Sequence, residues 1–334
     1  MKQRKIINLR YTIGFTLIAI LFVTINCKRP IEEPNFEIIS KCANPGYAQS
    51  VYVTELNNNQ YALVASGQAG LVIYDVNNPE QPNIKTQWTD TLNTCWSAMT
   101  KNNYAYLAYG SKLYVKLNIT NLDSIRIEAE FTSLGFVAYA YDIFAIDTNY
   151  IGIAARERFI IYDLTNPLFP DYRTLWFPRC VRGVFVLDSF AYLACEQLGV
   201  NIVKIKWLPN PSLELIGNID TPSNARSVFV QDNTCYVADG RAGLVIIDIT
   251  QPTSAGIISK LDLPGYAQRV FVKDTLAYLA CGDAGLCIVN IKQKDKPFLV
   301  ETVKTSYAKG VFVNAQNLIF VADRDEGLII IKEK

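Results

Sequence analysis

An all-β fold, a seven-bladed β-propeller with four-stranded blades, is predicted by three observations. A unit of short apolar strands separated by turn residues recurs seven times. Successive copies lie 41 to 47 residues apart, which is the length of one propeller blade. The two chain ends also complement each other, because the N-terminal end supplies a strand that the last copy lacks.

The clearest copy runs from Ile257 to Asn290. Val270-Phe271-Val272 is a first strand, apolar and β-branched or aromatic. Lys273-Asp274-Thr275 turns the chain into a second strand, Leu276 to Cys281. Gly282-Asp283-Ala284-Gly285 turns it again into a third strand, Leu286 to Asn290, and a fourth follows from Phe298 to Val303. Aligned on the first strand, the seven copies match at Val51, Ala98, Ile143, Val184, Val228, Val270 and Val311. Nearly continuous apolar strands and a hydrophobic content of 50 % are expected of sheets covered on both faces by neighbouring blades.

Residues 1–26 read as an export signal outside the fold. Lys2, Arg4, Lys5 and Arg10 precede the uncharged apolar run Tyr11 to Ile25, which suits a signal peptide better than a spanning helix. Cys27 directly after it resembles the lipobox of bacterial lipoproteins, although Asn26 stands where Gly or Ala is usual. That resemblance implies a diacylated Cys27 in a bacterial cell envelope, at the outer membrane; the alternative is an uncleaved N-terminal anchor. Residues 27–35 form the lipidated cysteine and its tether, and residues 36–334 form one propeller domain.

Without residues 1–26, 32 basic side chains become 28 against 31 acidic ones, a net charge of −3. No nucleic-acid partner is expected from that balance, and membrane contact only through the lipid. The domain is read as a monomer.

Ile38-Ile39-Ser40-Lys41 followed by Pro45-Gly46-Tyr47-Ala48-Gln49 repeats as Ile257-Ile258-Ser259-Lys260 followed by Pro264-Gly265-Tyr266-Ala267-Gln268. The N-terminal stretch is therefore a fourth strand without its own blade. The chain ends after a third strand, Gly327 to Lys332, so Ile38–Lys41 is expected to complete the last blade and close the ring, removing two sheet edges.

The third strands read Leu71-Val72-Ile73-Tyr74-Asp75, Phe159-Ile160-Ile161-Tyr162-Asp163, Leu244-Val245-Ile246-Ile247-Asp248 and Leu286-Cys287-Ile288-Val289-Asn290. The Asp that ends the first three is expected to cap the following turn. In these strands the chain resembles the LVIVD-repeat family, whose members look like secreted or lipid-anchored β-propellers. The resemblance covers roughly residues 36–334 and implies a fold, with no uniform activity to carry over.

The chain has no histidine. That excludes Ser-His-Asp and Cys-His catalysis, histidine general bases and histidine-held metals. The eight cysteines show no CxxC spacing, so no zinc or thioredoxin-like site is expected. Cys235 and Cys287 read as small core residues, Cys195 and Cys281 as too far apart for a disulfide, and Cys42, Cys95 and Cys180 as paired or free. Asp323, Asp325 and Glu326 share one turn and are expected to be solvated rather than to bind calcium. No catalytic residue, metal or cofactor is assigned.

Two functional classes remain. The first is a non-enzymatic binding module presenting a propeller face to a protein or glycan. The second is a carbohydrate-active or metal-assisted enzyme using turn acids such as Asp239, Asp283 and Asp323. The residue two before each aligned position should ring the channel mouth: Gln49, Trp96, Tyr141, Arg182, Arg226, Gln268 and Lys309. Two positions earlier stand Tyr47, Tyr139, Tyr266 and Tyr307, with Thr94, Cys180 and Asn224 in the other blades. Three cations, two amides and several aromatics favour an anionic or hydroxyl-rich ligand. The alternative is that these side chains only plug the channel.

Overall fold

The computed structural model describes residues 35–90, 93–131, 139–166, 170–207 and 211–334. The signal, Cys27 and the tether up to residue 34 lie outside the described residues. Seven antiparallel sheets of four strands each are present, as the repeat predicts. The first strands are Ser50–Leu56, Cys95–Lys101, Ala140–Ala145, Gly183–Leu187, Ser227–Gln231, Arg269–Lys273 and Ala308–Val313. In blades one to six the chain runs from this inner strand outward through three hairpins. The only helical element among the described residues is a single 3-10 turn, Pro252–Ser254.

The last blade takes three strands from the C-terminus and its outermost from the N-terminus. Phe36–Cys42 pairs antiparallel with Gly327–Glu333, from Phe36 opposite Glu333 to Cys42 opposite Leu328. The closing strand is thus longer than Ile38–Lys41.

Local chemistry accounts for the turns. Between first and second strands, Asn102, Asp188, Asp232, Asp274 and Asn317 take positive φ, a conformation these side chains tolerate through local hydrogen bonding. After the third strands, Oδ1 of Asp75, Asp163, Asp248 and Asn290 accepts from the backbone N–H two residues on, at 2.9 to 3.0 Å. The acid therefore caps the turn, as expected.

Packing explains the apolar strands. Seven core clusters each span one pair of neighbouring blades. The cluster between blades five and six joins Tyr236, Leu244 and Ile246 to Val270, Leu279 and Cys287. Six of the seven outer strands carry a register shift, at Ile39, Lys85, Glu128, Ile216, Ile258 and Val300. Such bulges spoil an exposed edge as a template for a second chain.

The seven cysteines among the described residues are free, including Cys42, Cys95 and Cys180. Cys281 has a thiol neighbour that its sequence position did not reveal. The hydrogen bond it shares with Cys287, together with burial, pushes its thiol up.

Candidate functional site

The first strands line the central channel. In blade one, the N–H of Gln49 donates to Ala65 O at 2.8 Å while Ser50 stands opposite the same residue. Arg182, Arg226 and Gln268 repeat this with Ala194, Ala238 and Ala280. In blades two, three and seven the pairing skips Trp96, Tyr141 and Lys309. Each of the seven residues is thus the extra member of a bulge, which turns its side chain toward the axis instead of into the blade. Consecutive residues can then face one space, and Gln268 and Arg269 do so.

Gln49, Trp96, Tyr141, Arg182, Arg226, Gln268 and Lys309 line one cavity of about 60 Å³ at the mouth, together with Arg269. Arg269 was not among the residues singled out from the sequence. Four cations therefore line this cavity, and no carboxylate does. Glu196, in the second-to-third turn of blade four, lies behind two of them: Arg182 Nε donates to its Oε1 at 2.6 Å and Arg226 Nη1 to the same oxygen at 3.2 Å. The Arg182 guanidinium also stacks on Tyr141 at 4.0 Å. Lys309 makes no ion pair among the described residues. Burial lowers its pKa, and the charges of Arg226, Arg324 and Arg182 lower it further. Burial and Arg182 lower Arg226 in the same way.

Below the mouth the channel narrows to a buried ion pair. Asp142 of blade three is 5 % exposed, and Arg269 Nη2 of blade six reaches its Oδ1 at 3.1 Å. Its other oxygen accepts from the Val184 N–H at 3.2 Å. Beyond this pair, Tyr52, Phe144, Phe185, Phe229, Phe271 and Phe312 stand side by side with centroids 4.8 to 5.1 Å apart. Met99 takes the remaining place in a cavity of about 110 Å³. This belt was legible as the residue after each aligned position, Tyr52 through Phe312, but went unread because its apolar side chains look like core.

The tyrosines two positions before the ring do not share the mouth. Tyr266 rests on the backbone of Gly240, where an added Cβ would stand 2.9 Å from its ring. Tyr307 accepts weakly from Gln268 Nε2 at 3.5 Å and carries the Arg324 guanidinium at 4.3 Å. Tyr139 and Tyr141 pack edge-on against Trp96 at 6.2 and 5.7 Å. Tyr47 is 65 % exposed and lines a separate groove of about 710 Å³, which shares Gln49 and Trp96 with the mouth.

The turn acids are engaged elsewhere. Asp239 is fully buried; it accepts from Thr221 Oγ1 at 2.8 Å and from the Ser223 N–H at 2.9 Å. Asp323, also fully buried, accepts from the N–H groups of Tyr307, Asp325 and Glu326. Both carboxylates latch the loop that enters their own blade, and Asp323 also holds the turn it stands in. Asp283 is exposed, and its backbone carbonyl accepts from Lys304 Nζ. The three do not form a convergent carboxylate set. Of the three acids of the last turn, Asp325 is exposed, as expected, and pairs with Arg324; Glu326 is half-buried and pairs with Lys41, and Asp323 is buried, contrary to the expected solvation. Among the described residues no three His, Cys, Asp or Glu side chains cluster to hold a metal ion.

The family model of the LVIVD repeat matches residues 45–90, 222–262 and 264–305. These stretches contain all four strands of blades one, five and six. No curated protein matches the chain. A solved structure of U3-55K superposes with a TM-score of 0.69 at 9 % identity, over 89 % of this chain and 98 % of that chain. So low an identity shows the fold alone. The chain carries LVIVD repeats in three of its blades and folds as a seven-bladed β-propeller.

Proposed function

We propose that this protein is a non-enzymatic binding module of a bacterial cell envelope that offers its channel-mouth face to a protein or glycan ligand. The propeller repeat fold fits a binding or interaction module in general. The observation that carries the finer reading is the mouth itself, where four cations line one cavity without a carboxylate among its lining residues. Charges gathered at an opening, in a domain of slightly negative net charge, attract an anionic group by field and by charge-assisted hydrogen bonds. Export through residues 1–26 and a lipid on Cys27 would hold the protein at the outer membrane.

The paired substitution Arg182→Ala with Arg226→Ala tests the reading. Wild type and variant are compared in pull-downs from envelope extract and on a glycan array. Loss of the retained ligand by a variant that still folds and melts cooperatively is expected. Undiminished capture by the variant would put the binding site on another face.

A further inference from the structure

Neighbouring blades are stitched at the mouth face by a short bridge. A residue of one blade's second-to-third turn pairs with the loop entering the next blade: Gly67 with Cys95, Gly110 with Ala140, Glu196 with Ala225, Gly240 with Ala267 and Gly282 with Ala308. Blade three keeps part of this, since the Val181 N–H donates to Arg156 O at 2.6 Å. At the seam where the last blade meets the first, the turn residue is Arg324. Its N–H bonds back to Tyr307 O, and among the described residues no bridge joins it to Ala48. Tyr266 has the turn glycine of the preceding blade to rest on; Tyr47, facing Arg324, has none and stands out into solvent. The ring seam is therefore where the groove of about 710 Å³ opens, within the range of about 300–1,000 Å³ usual for small-ligand sites.

The lining of this groove has a definite character. Its apolar surface is aromatic, Tyr47 and Trp96, with Pro45 and Ala69 as the only aliphatic residues. Amide and hydroxyl groups of Asn44, Gln49, Gln68 and Thr94 line the groove with these rings, and at its blade-seven side stands the Arg324–Asp325 ion pair. The Trp96 side chain lines both groove and mouth, and its indole N–H is buried without a hydrogen-bond partner among protein groups. Flat rings framed by amides and hydroxyls suit the apolar face and hydroxyl rim of a sugar. An aliphatic side chain would find only Pro45 and Ala69 to pack on. The adjoining mouth is small and holds Lys309 without an ion-pair partner.

We infer that groove and mouth form one site for an acidic oligosaccharide, with a ring carboxylate in the mouth against Lys309 and Arg226 and the adjacent sugar on Tyr47. This rests on the binding reading above and names its ligand class. Calorimetric titration of the full-length protein in detergent micelles tests it with four probes: trigalacturonate, its methyl ester, free galacturonate and hexaglutamate. Trigalacturonate is expected to bind at least about tenfold more tightly than the ester, since only the acid makes charged hydrogen bonds. Lys309→Gln should remove that preference. Tyr47→Ala should weaken trigalacturonate and its ester by about threefold to tenfold and leave free galacturonate unchanged.

A salt series on the wild type needs no variant to fold. Between about 0.01 and 1 M salt the screening length falls from about 30 to 3 Å, and only the acid should lose affinity. Equal affinity for acid and ester, or an unaltered preference in Lys309→Gln, overturns the inference. Hexaglutamate binding in place of the saccharide also overturns it, in favour of an acidic peptide. If no probe binds while the paired arginine variant still loses its envelope ligand, the saccharide assignment fails and the binding face stands.

Discussion

Lys309 has its ammonium among Arg182, Arg226 and Arg324, without a carboxylate in ion-pair reach among the described residues. Burial first, and these cations next, hold its pKa below the ordinary lysine value. The charged form is therefore disfavoured in the folded state, and at neutral pH this destabilises the fold. The penalty fades as pH rises through the folded pKa toward the unfolded value of about 10.4. Lys309→Met should accordingly raise the melting temperature at pH 7, with a gain that shrinks toward pH 10. A melting difference that is flat or grows over that range would sink the argument. Gly240 tests a steric constraint at the same scale. It has φ +56° and lies under the Tyr266 ring, so Gly240→Ala should cost about 1–2 kcal/mol from the left-handed backbone alone, read by urea denaturation.

At the scale of elements, each third strand is buried between two other blades. Ile246 is fully buried in the cluster joining blades five and six, and Ile246→Ala should cost about 2–5 kcal/mol. The closing strand Phe36–Cys42 is the one element that both chain ends need. Deleting residues 28–43 exposes the edge of Gly327–Glu333 and uncovers Phe36's place in the cluster between blades six and seven. Circular-dichroism melts should show that variant unfolded or strongly destabilised. By contrast Lys41→Ala removes only an exposed pair with Glu326, worth about 0–1 kcal/mol. A deletion variant that melts with the wild type would mean that the ring holds without its closure.

For the whole molecule, the ring makes a rigid platform out of local parts. Each blade buries its faces on its neighbours, and the axis gathers one side chain per blade at a single opening. The Asp142–Arg269 pair and the aromatic belt fill the channel beneath, so a ligand at the mouth meets a floor instead of a pore. The proposed anchoring has its own test. Cys27→Ser should release the protein from the membrane fraction of its host or mislocalise it, whereas unchanged retention would favour an uncleaved anchor.

Blade number, strand order, the capping acids and the closing strand were all legible in the sequence. Each is written in a pattern that recurs every 41 to 47 residues and needs only local geometry to decode. The seven mouth residues could be named for the same reason, because a constant offset from an inner strand becomes a ring once the blades close. Tertiary structure alone decided what those side chains meet. Asp142 and Arg269 are 127 residues apart, and only the curvature of the ring brings their blades face to face. Nothing in the sequence around Glu196 marks it as the carboxylate on which Arg182 and Arg226 of adjacent blades close. Asp239 and Asp323 looked like candidate acids until their loops folded back onto them. Tyr47 has the same motif as Tyr266, yet one lies free and the other lies on glycine. The difference comes from Arg324, 277 residues away in sequence, because ring closure sets the last blade's turn beside the first blade. A repeat specifies what is the same in every blade; the contacts that differ between blades depend on which copy closure puts next to which.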